Sequence, residues 1–204
     1  MAYVGTWPTT VGFKTMNFKT VSNTKMTTSQ SGRTIRVSVA GSRFSVTIQY
    51  PQMTAQNMKA IQAIATRLKG PLNSFDITLP FISYNSNGAG YGLVATVNDA
   101  SATQGSTAIT IATNKNSQTV LYAGDVVKFA SHNKVYMVVA DVTTNGSGAG
   151  TLNIEPALFE DVANSSTITN NAVPFRMRLE RDIQEFKYST DDTATYELDM
   201  IEEL

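Results

Sequence analysis

The stretch "YAGDVVKFASHNKVYMVVADVTTNGSGAGTLNIEP", Tyr122 to Pro156, alternates short apolar runs with polar reversals and holds the chain's single histidine, His132. "VVKF", "VYMVV" and "TLNIE" have strand length and strand composition. Between them, Gly124-Asp125, "ASHNK" and Gly146 to Gly150 carry the residues that reverse a chain. The reading is a set of antiparallel strands. Gly124 and Asp125 turn the chain into a strand, Tyr136 builds the sheet with Val135 and Val138, and Glu155-Pro156 ends it. His132 is then a turn residue. A metal site there would need carboxylates as its only co-ligands, because there is no second histidine and no cysteine.

Around this stretch, residues 85–171 are rich in Gly, Ser, Thr, Asn and Ala, with loops such as "YNSNGAGYG" and "DVANSSTITNN" bracketing strands such as "STAITIAT". That spacing predicts a small antiparallel barrel or sandwich. On its N-terminal side, "TIRVSVAGSRFSVTIQY" has two alternating runs, Ile35, Val37, Val39 and Phe44, Val46, Ile48, Tyr50, split by Ala40-Gly41-Ser42, and predicts a hairpin. Met58, Ile61, Ile64, Ala65 and Leu68 then recur at helical spacing, with Thr54 to cap and Gly70-Pro71 to stop, so one helix is expected over about 54–69. "SFDITLP" resumes a strand, and Phe175, Met177, Leu179 with Tyr196, Leu198, Met200 predict closing strands. The fold class is therefore mainly β with one α-helix. One domain comprises residues 1–84 plus 172–204, and a second, small β domain at 85–171 is inserted into it.

The chain has 204 residues and zero formal net charge, so no global field favours nucleic acid or an anionic membrane. No apolar run approaches the roughly 20 residues that span a bilayer, and "MAYVGTWPTT" lacks the basic start and apolar centre of a signal peptide. A soluble chain, with no membrane insertion and no export by that route, is expected. The zero hides an asymmetry. Before Asp76 there are nine basic residues, Lys59, Arg67 and Lys69 among them, and no acid, whereas the tail from Glu180 carries nine acids, including Glu197, Asp199 and Glu202, against two basic residues. Two readings stay open: the halves neutralise each other inside one fold, or a basic face of one copy meets an acidic face of the next, which is how a head-to-tail interface closes a ring.

Few residues carry a pattern that points to chemistry. Asp191-Asp192 sits in "YSTDDTATY", a polar loop between strands. No serine has a G-x-S-x-G elbow around it. "GSGAG" lacks the lysine and following helix of a phosphate loop. Trp7, with Phe13 and Phe18, suits either a sugar-stacking surface or an anchor for the N-terminal arm. The early basic residues are too dispersed for a specific nucleic-acid site. Neither catalytic, metal nor cofactor-binding residues are assigned, and the chain is expected not to be an enzyme.

The series L-Y-A-G-D-V-V-K-F-A, K-V-Y-M-V-V-A-D-V and G-S-G-A-G-T-L-N-I-E-P-A-L, over 121–158, resembles a module of virion structural proteins in tailed bacteriophages. The frame of hairpin, helix, "FDITLP", insertion and a closing pair ending in "YELDMIEE" resembles the ring domain of tail-tip proteins, above all the distal tail protein family. The resemblance implies a tail-tube-like β-sandwich ring domain, a hexameric ring at the tail tip or baseplate that joins the tail tube to the hub, and DNA passing through its lumen. It implies partners among tube, hub and fibre proteins, and a virion component assembled in the host cytoplasm. The alternatives are a receptor- or carbohydrate-binding module of the virion, an envelope hydrolase, or another tail ring such as a tube or neck protein. The charge asymmetry nominates Lys59, Arg67 and Lys69 against Glu197, Asp199 and Glu202 as subunit-interface residues.

Overall fold

Among the residues that the computed structural model describes, 2–9, 11–39, 41–100 and 102–204, eighteen strands and one α-helix follow one another. First come β1 (Tyr3–Thr6), β2 (Thr15–Val21), β3 (Thr24–Thr28), β4 (Thr34–Ser38), β5 (Arg43–Gln49), β6 (Met53–Thr54), α1 (Ala55–Leu68) and β7 (Ser74–Thr78). They are followed by β8 (Ala95–Val97), β9 (Ala108–Thr113), β10 (Thr119–Leu121), β11 (Val126–Phe129), β12 (Val135–Val138), β13 (Val142–Thr143), β14 (Ala149–Glu155) and β15 (Thr167–Thr169). The chain closes with β16 (Pro174–Leu179), β17 (Phe186–Tyr188) and β18 (Thr193–Glu202). Two compact units result: one from the chain up to Ile77 together with Arg176–Leu204, the other from Thr78–Phe175.

The first unit is built on an eight-stranded sheet whose main path runs β1-β7-β16-β18-β5-β2, with β6 and β17 also pairing with β18. Strand alternation explains its two faces. Along β18, Ala194, Tyr196, Leu198 and Met200 are buried while Thr195 and Glu197 face out, and along β16, Phe175, Met177 and Leu179 are buried while Arg176 and Arg178 alternate with them. Helix α1 packs against β18 through Met58, Ile61, Ala65 and Leu68, most of the stripe read from the sequence. Thr54 accepts the Asn57 N–H at 3.4 Å as N-cap, and Lys69, in the left-handed region, ends the helix. Gly70 follows at φ +62°, where a Cβ would lie 2.7 Å from Asp182 Oδ1 and 3.0 Å from its Cα, so only glycine fits the stop.

The second unit is a closed antiparallel barrel in the order β11-β12-β14-β9-β8-β15, with β15 returning to β11. Closure leaves the barrel no unpaired edge. Ile109, Ile111, Val127, Phe129, Tyr136, Val138, Leu152, Ile154 and Ile168 fill it. The fold is thus mainly β with one helix, and of the two forms expected for the inserted module the barrel is the one adopted.

One expectation is overturned. β4 and β5 do not form a hairpin with each other. β4 pairs with β3, from Thr24↔Ser38 to Thr28↔Thr34, while β5 lies between β2 and β18. Alternation predicts which face of a strand is apolar, and it is silent about the partner. "TKMTT" of β3 has almost no apolar signal, so the strand that β4 needs was invisible. Ala40 of the expected turn and Ser101 of the loop before β9 lie outside the described residues.

Candidate assembly surfaces

In the barrel unit, the scaffold residues nominated from the sequence form two polar knots. Gly124 takes φ +100° and donates its N–H to the Val138 carbonyl at 2.8 Å, which lets the chain reverse into β11. The buried Asp125 carboxylate accepts from the Ser86 N–H (3.0 Å), the Ser86 hydroxyl (2.5 Å) and the Tyr122 N–H (2.9 Å). It therefore ties the loop before β8 to the turn before β11, a charged acceptor with every bond supplied by the chain.

The second knot centres on Tyr136 and His132. His132 does lie in the β11–β12 turn, but it is only 2% exposed and is not a solvent-facing tip. The Phe159 N–H donates to the Tyr136 oxygen at 3.1 Å, so the Tyr136 hydroxyl is left to donate to His132 Nδ1 at 2.8 Å. That assigns the remaining ring hydrogen to Nε2, facing the Asp161 carbonyl at 3.4 Å. Burial pushes the imidazole below its ordinary value of 6.5, against the Asp161 carbonyl and the Glu160 carboxylate, which pull it up. Two turn and strand residues thus pin the segment after Glu155-Pro156, whose peptide bond is cis, across the barrel. Glu155 itself pairs in register with Met137 and is exposed.

On the first unit, the acidic half of the charge asymmetry is taken up internally in part. Asp76 binds Arg176 at 2.6 Å, Glu203 binds Arg178 at 3.2 Å, and Asp199 binds Arg181 at 3.2 Å while accepting from the Thr47 hydroxyl at 2.8 Å. Glu202 is 0% exposed and accepts the Phe44 N–H at 3.2 Å, an internal role that takes it off the surface. Glu197 stays exposed beside Gln49, at 3.2 Å. The other half stays open. Lys59, Arg67 and Lys69 are exposed on or beside α1, which contains no acid, and among the described residues none has an acidic group in ion-pair range.

Periodicity missed a further surface. The β3–β4 ribbon is a separate two-stranded sheet with every described residue of both strands exposed. Met26 at 66%, Ile35 at 55% and Val37 at 55% stand in solvent beside Lys25, Arg33 and Arg36. An isolated ribbon is marginal in water, and clustered exposed apolar side chains mark contact surfaces.

Other candidates are taken up by structure. Trp7 is buried, donating Nε1–H to the Tyr50 hydroxyl at 2.6 Å and packing at a tilt against the Phe75 ring, so it anchors the N-terminal arm and offers no sugar platform. Burial pushes Tyr50 up to about 12. An open groove of about 650 Å³ on this unit is lined by Lys14, Arg181, Gln184 and Lys187 over the buried Tyr50 and Tyr196. Asp191 and Asp192 sit in the β17–β18 turn, where Asp191 accepts the Thr193 hydroxyl at 2.6 Å. No group of three or more His, Asp or Glu among the described residues could hold a metal, and no helix is long and apolar enough to cross a membrane.

Residues 89–173 match the family of the distal tail protein pb9, B domain. This segment belongs to the phage distal tail protein family. No curated protein matches the chain. The B-domain match takes in all six barrel strands and both polar knots apart from Ser86. A chain carrying a distal tail B domain has a structural role in a virion tail, among other tail proteins.

Proposed function

We propose that this chain is the subunit of a hexameric ring at the phage tail tip or baseplate, assembled in the host cytoplasm. The ring joins the tail tube to the hub and lets DNA pass through its lumen. The B-domain match carries the tail assignment. The ring itself is supported by the exposed β3–β4 ribbon, with its apolar and basic side chains on a unit whose exposed acids lie on other elements. A heterologous contact repeated around an axis uses two different surfaces of one chain, and such a division of charge supplies them.

On this reading Lys59, Arg67 and Lys69 and the ribbon of one copy face Glu197, and in lesser part Asp199, of the next. Glu202 leaves the nominated set because it is enclosed. The domain made of the chain's two ends forms the ring, and the inserted B domain holds fibre or other tail parts. No catalytic step is required. The test is mass photometry of the purified chain, alone and with tail tube, beside the triple variant Lys59→Glu, Arg67→Glu, Lys69→Glu. A six-copy species lost in the variant is expected. A chain that stays monomeric at micromolar concentration with tube present overturns the ring.

A further inference from the structure

Six asparagines in the chain are followed by glycine or serine: Asn73, Asn85, Asn87, Asn116, Asn145 and Asn164. Such pairs are where a backbone nitrogen meets least hindrance in reaching the preceding side-chain carbonyl. In five of the six that nitrogen's N–H is already engaged. Ser74 donates to the Ala2 carbonyl at 3.1 Å, Ser86 to Asp125 at 3.0 Å, Gly88 to the Asn85 carbonyl at 2.8 Å, Ser117 to the Asn145 carbonyl at 3.0 Å and Ser165 to the Val97 carbonyl at 2.8 Å. Among the described residues, the Gly146 N–H has no acceptor.

The side chain preceding it is held in an unusual way. Asn145 Oδ1 accepts three hydrogen bonds, from the Ser147 N–H at 2.9 Å, the Ser147 hydroxyl at 2.7 Å and the Ala149 N–H at 3.0 Å. Asn145 and Gly146 are both exposed, so water and hydroxide reach them. The turn cannot shift away easily. Asn145 donates to the Ala149 carbonyl, and Gly148, at φ +79°, sits where a Cβ would be 2.5 Å from the Thr113 carbonyl.

We propose that Asn145-Gly146 is a self-modification site, at which Asn145 is converted to aspartate and isoaspartate. Hydroxide removes the Gly146 amide proton, and the nitrogen attacks Asn145 Cγ. Negative charge then develops on Oδ1, which three donors already face, the arrangement that stabilises a tetrahedral oxyanion. The Cγ–N bond to the side-chain amide breaks, and ammonia leaves with a proton taken from water. Water opens the resulting five-membered imide at either carbonyl. The sum is asparagine plus water giving aspartate or isoaspartate plus ammonia, with no oxidation and no cofactor. Isoaspartate lengthens the backbone by one carbon inside the tight β13–β14 turn and breaks the Ser117 and Gly148 bonds to the Asn145 carbonyl. The tip of the B domain thereby carries a slow covalent clock.

The experiment incubates the full chain, folded and in denaturant, in mildly alkaline buffer and follows each asparagine by peptide mass mapping. Folded, Asn145 converts faster than Asn87, the other Asn-Gly pair, by at least about tenfold, the factor that roughly 1.4 kcal/mol of barrier supplies. In denaturant the two converge. Ser147→Ala slows Asn145 several-fold in the folded chain and leaves Asn87 unchanged. Equal folded rates, or a faster Asn87, overturn the proposal, and a Ser147→Ala rate equal to the wild type overturns its oxyanion element.

Discussion

Tyr136→Phe deletes one oxygen from the middle of the B domain and tests the polar knot that pins the segment after β14. That oxygen accepts from Phe159 N–H and donates to His132 Nδ1. Phe159 is 40% exposed, so its amide can turn to water at little cost. His132 is 2% exposed, and its Nδ1 is left without a donor, which costs about 1–3 kcal/mol. In a unit of up to roughly 100 residues each kcal/mol moves the melting temperature by about 4–8 °C, so a fall of roughly 5–20 °C is expected. Calorimetry reads the fall, and amide hydrogen exchange at Phe159 reads its local origin. The pH dependence has a definite sign. Unfolded His132 titrates near 6.5, and burial holds the folded value lower against the Glu160 carboxylate 3.9 Å away. As pH drops the unfolded chain binds the proton first, so this contribution to stability is complete above 6.5 and drains away below it, down to the folded value. His132→Gln removes that part of the acid slope. A Tyr136→Phe chain that melts with the wild type and exchanges Phe159 at the same rate would refute the knot.

Gly70→Ala forces a Cβ against the Asp182 backbone at a positive φ and is expected to cost about 1–3 kcal/mol, read by chemical denaturation; a neutral result contradicts the tight stop after α1. Ile35→Asp with Val37→Asp changes only exposed side chains of the ribbon, so monomer stability should stay within about 0.5 kcal/mol while the six-copy species disappears. If the double variant still assembles, the ribbon is not part of the interface.

The barrel was legible because its strands are short, branched and separated by turn residues of plain chemistry. Helix α1 was legible because its cap, stripe and stop agree. Pairing was less so. β5 shows its buried face in Phe44, Val46 and Ile48, yet its neighbours β2 and β18 come from opposite ends of the chain, and β3 carries no apolar pattern to find. Side-chain partners across long separations were hidden for the same reason: Trp7 with Tyr50, Glu202 with the Phe44 amide, Ser86 with Asp125. His132 was legible as a turn residue, but its burial was not. The segment that covers it, around Phe159 to Asp161, lies some thirty residues downstream in a loop whose path has no periodic signal.

Mass photometry and negative-stain class averages of the purified chain with tail tube read the mass and symmetry of the assembled particle. A closed six-copy ring on the tube end is expected, lost when Lys59, Arg67 and Lys69 are reversed. A monomer that does not bind the tube, or a ring indifferent to that reversal and to the ribbon substitutions, would contradict it.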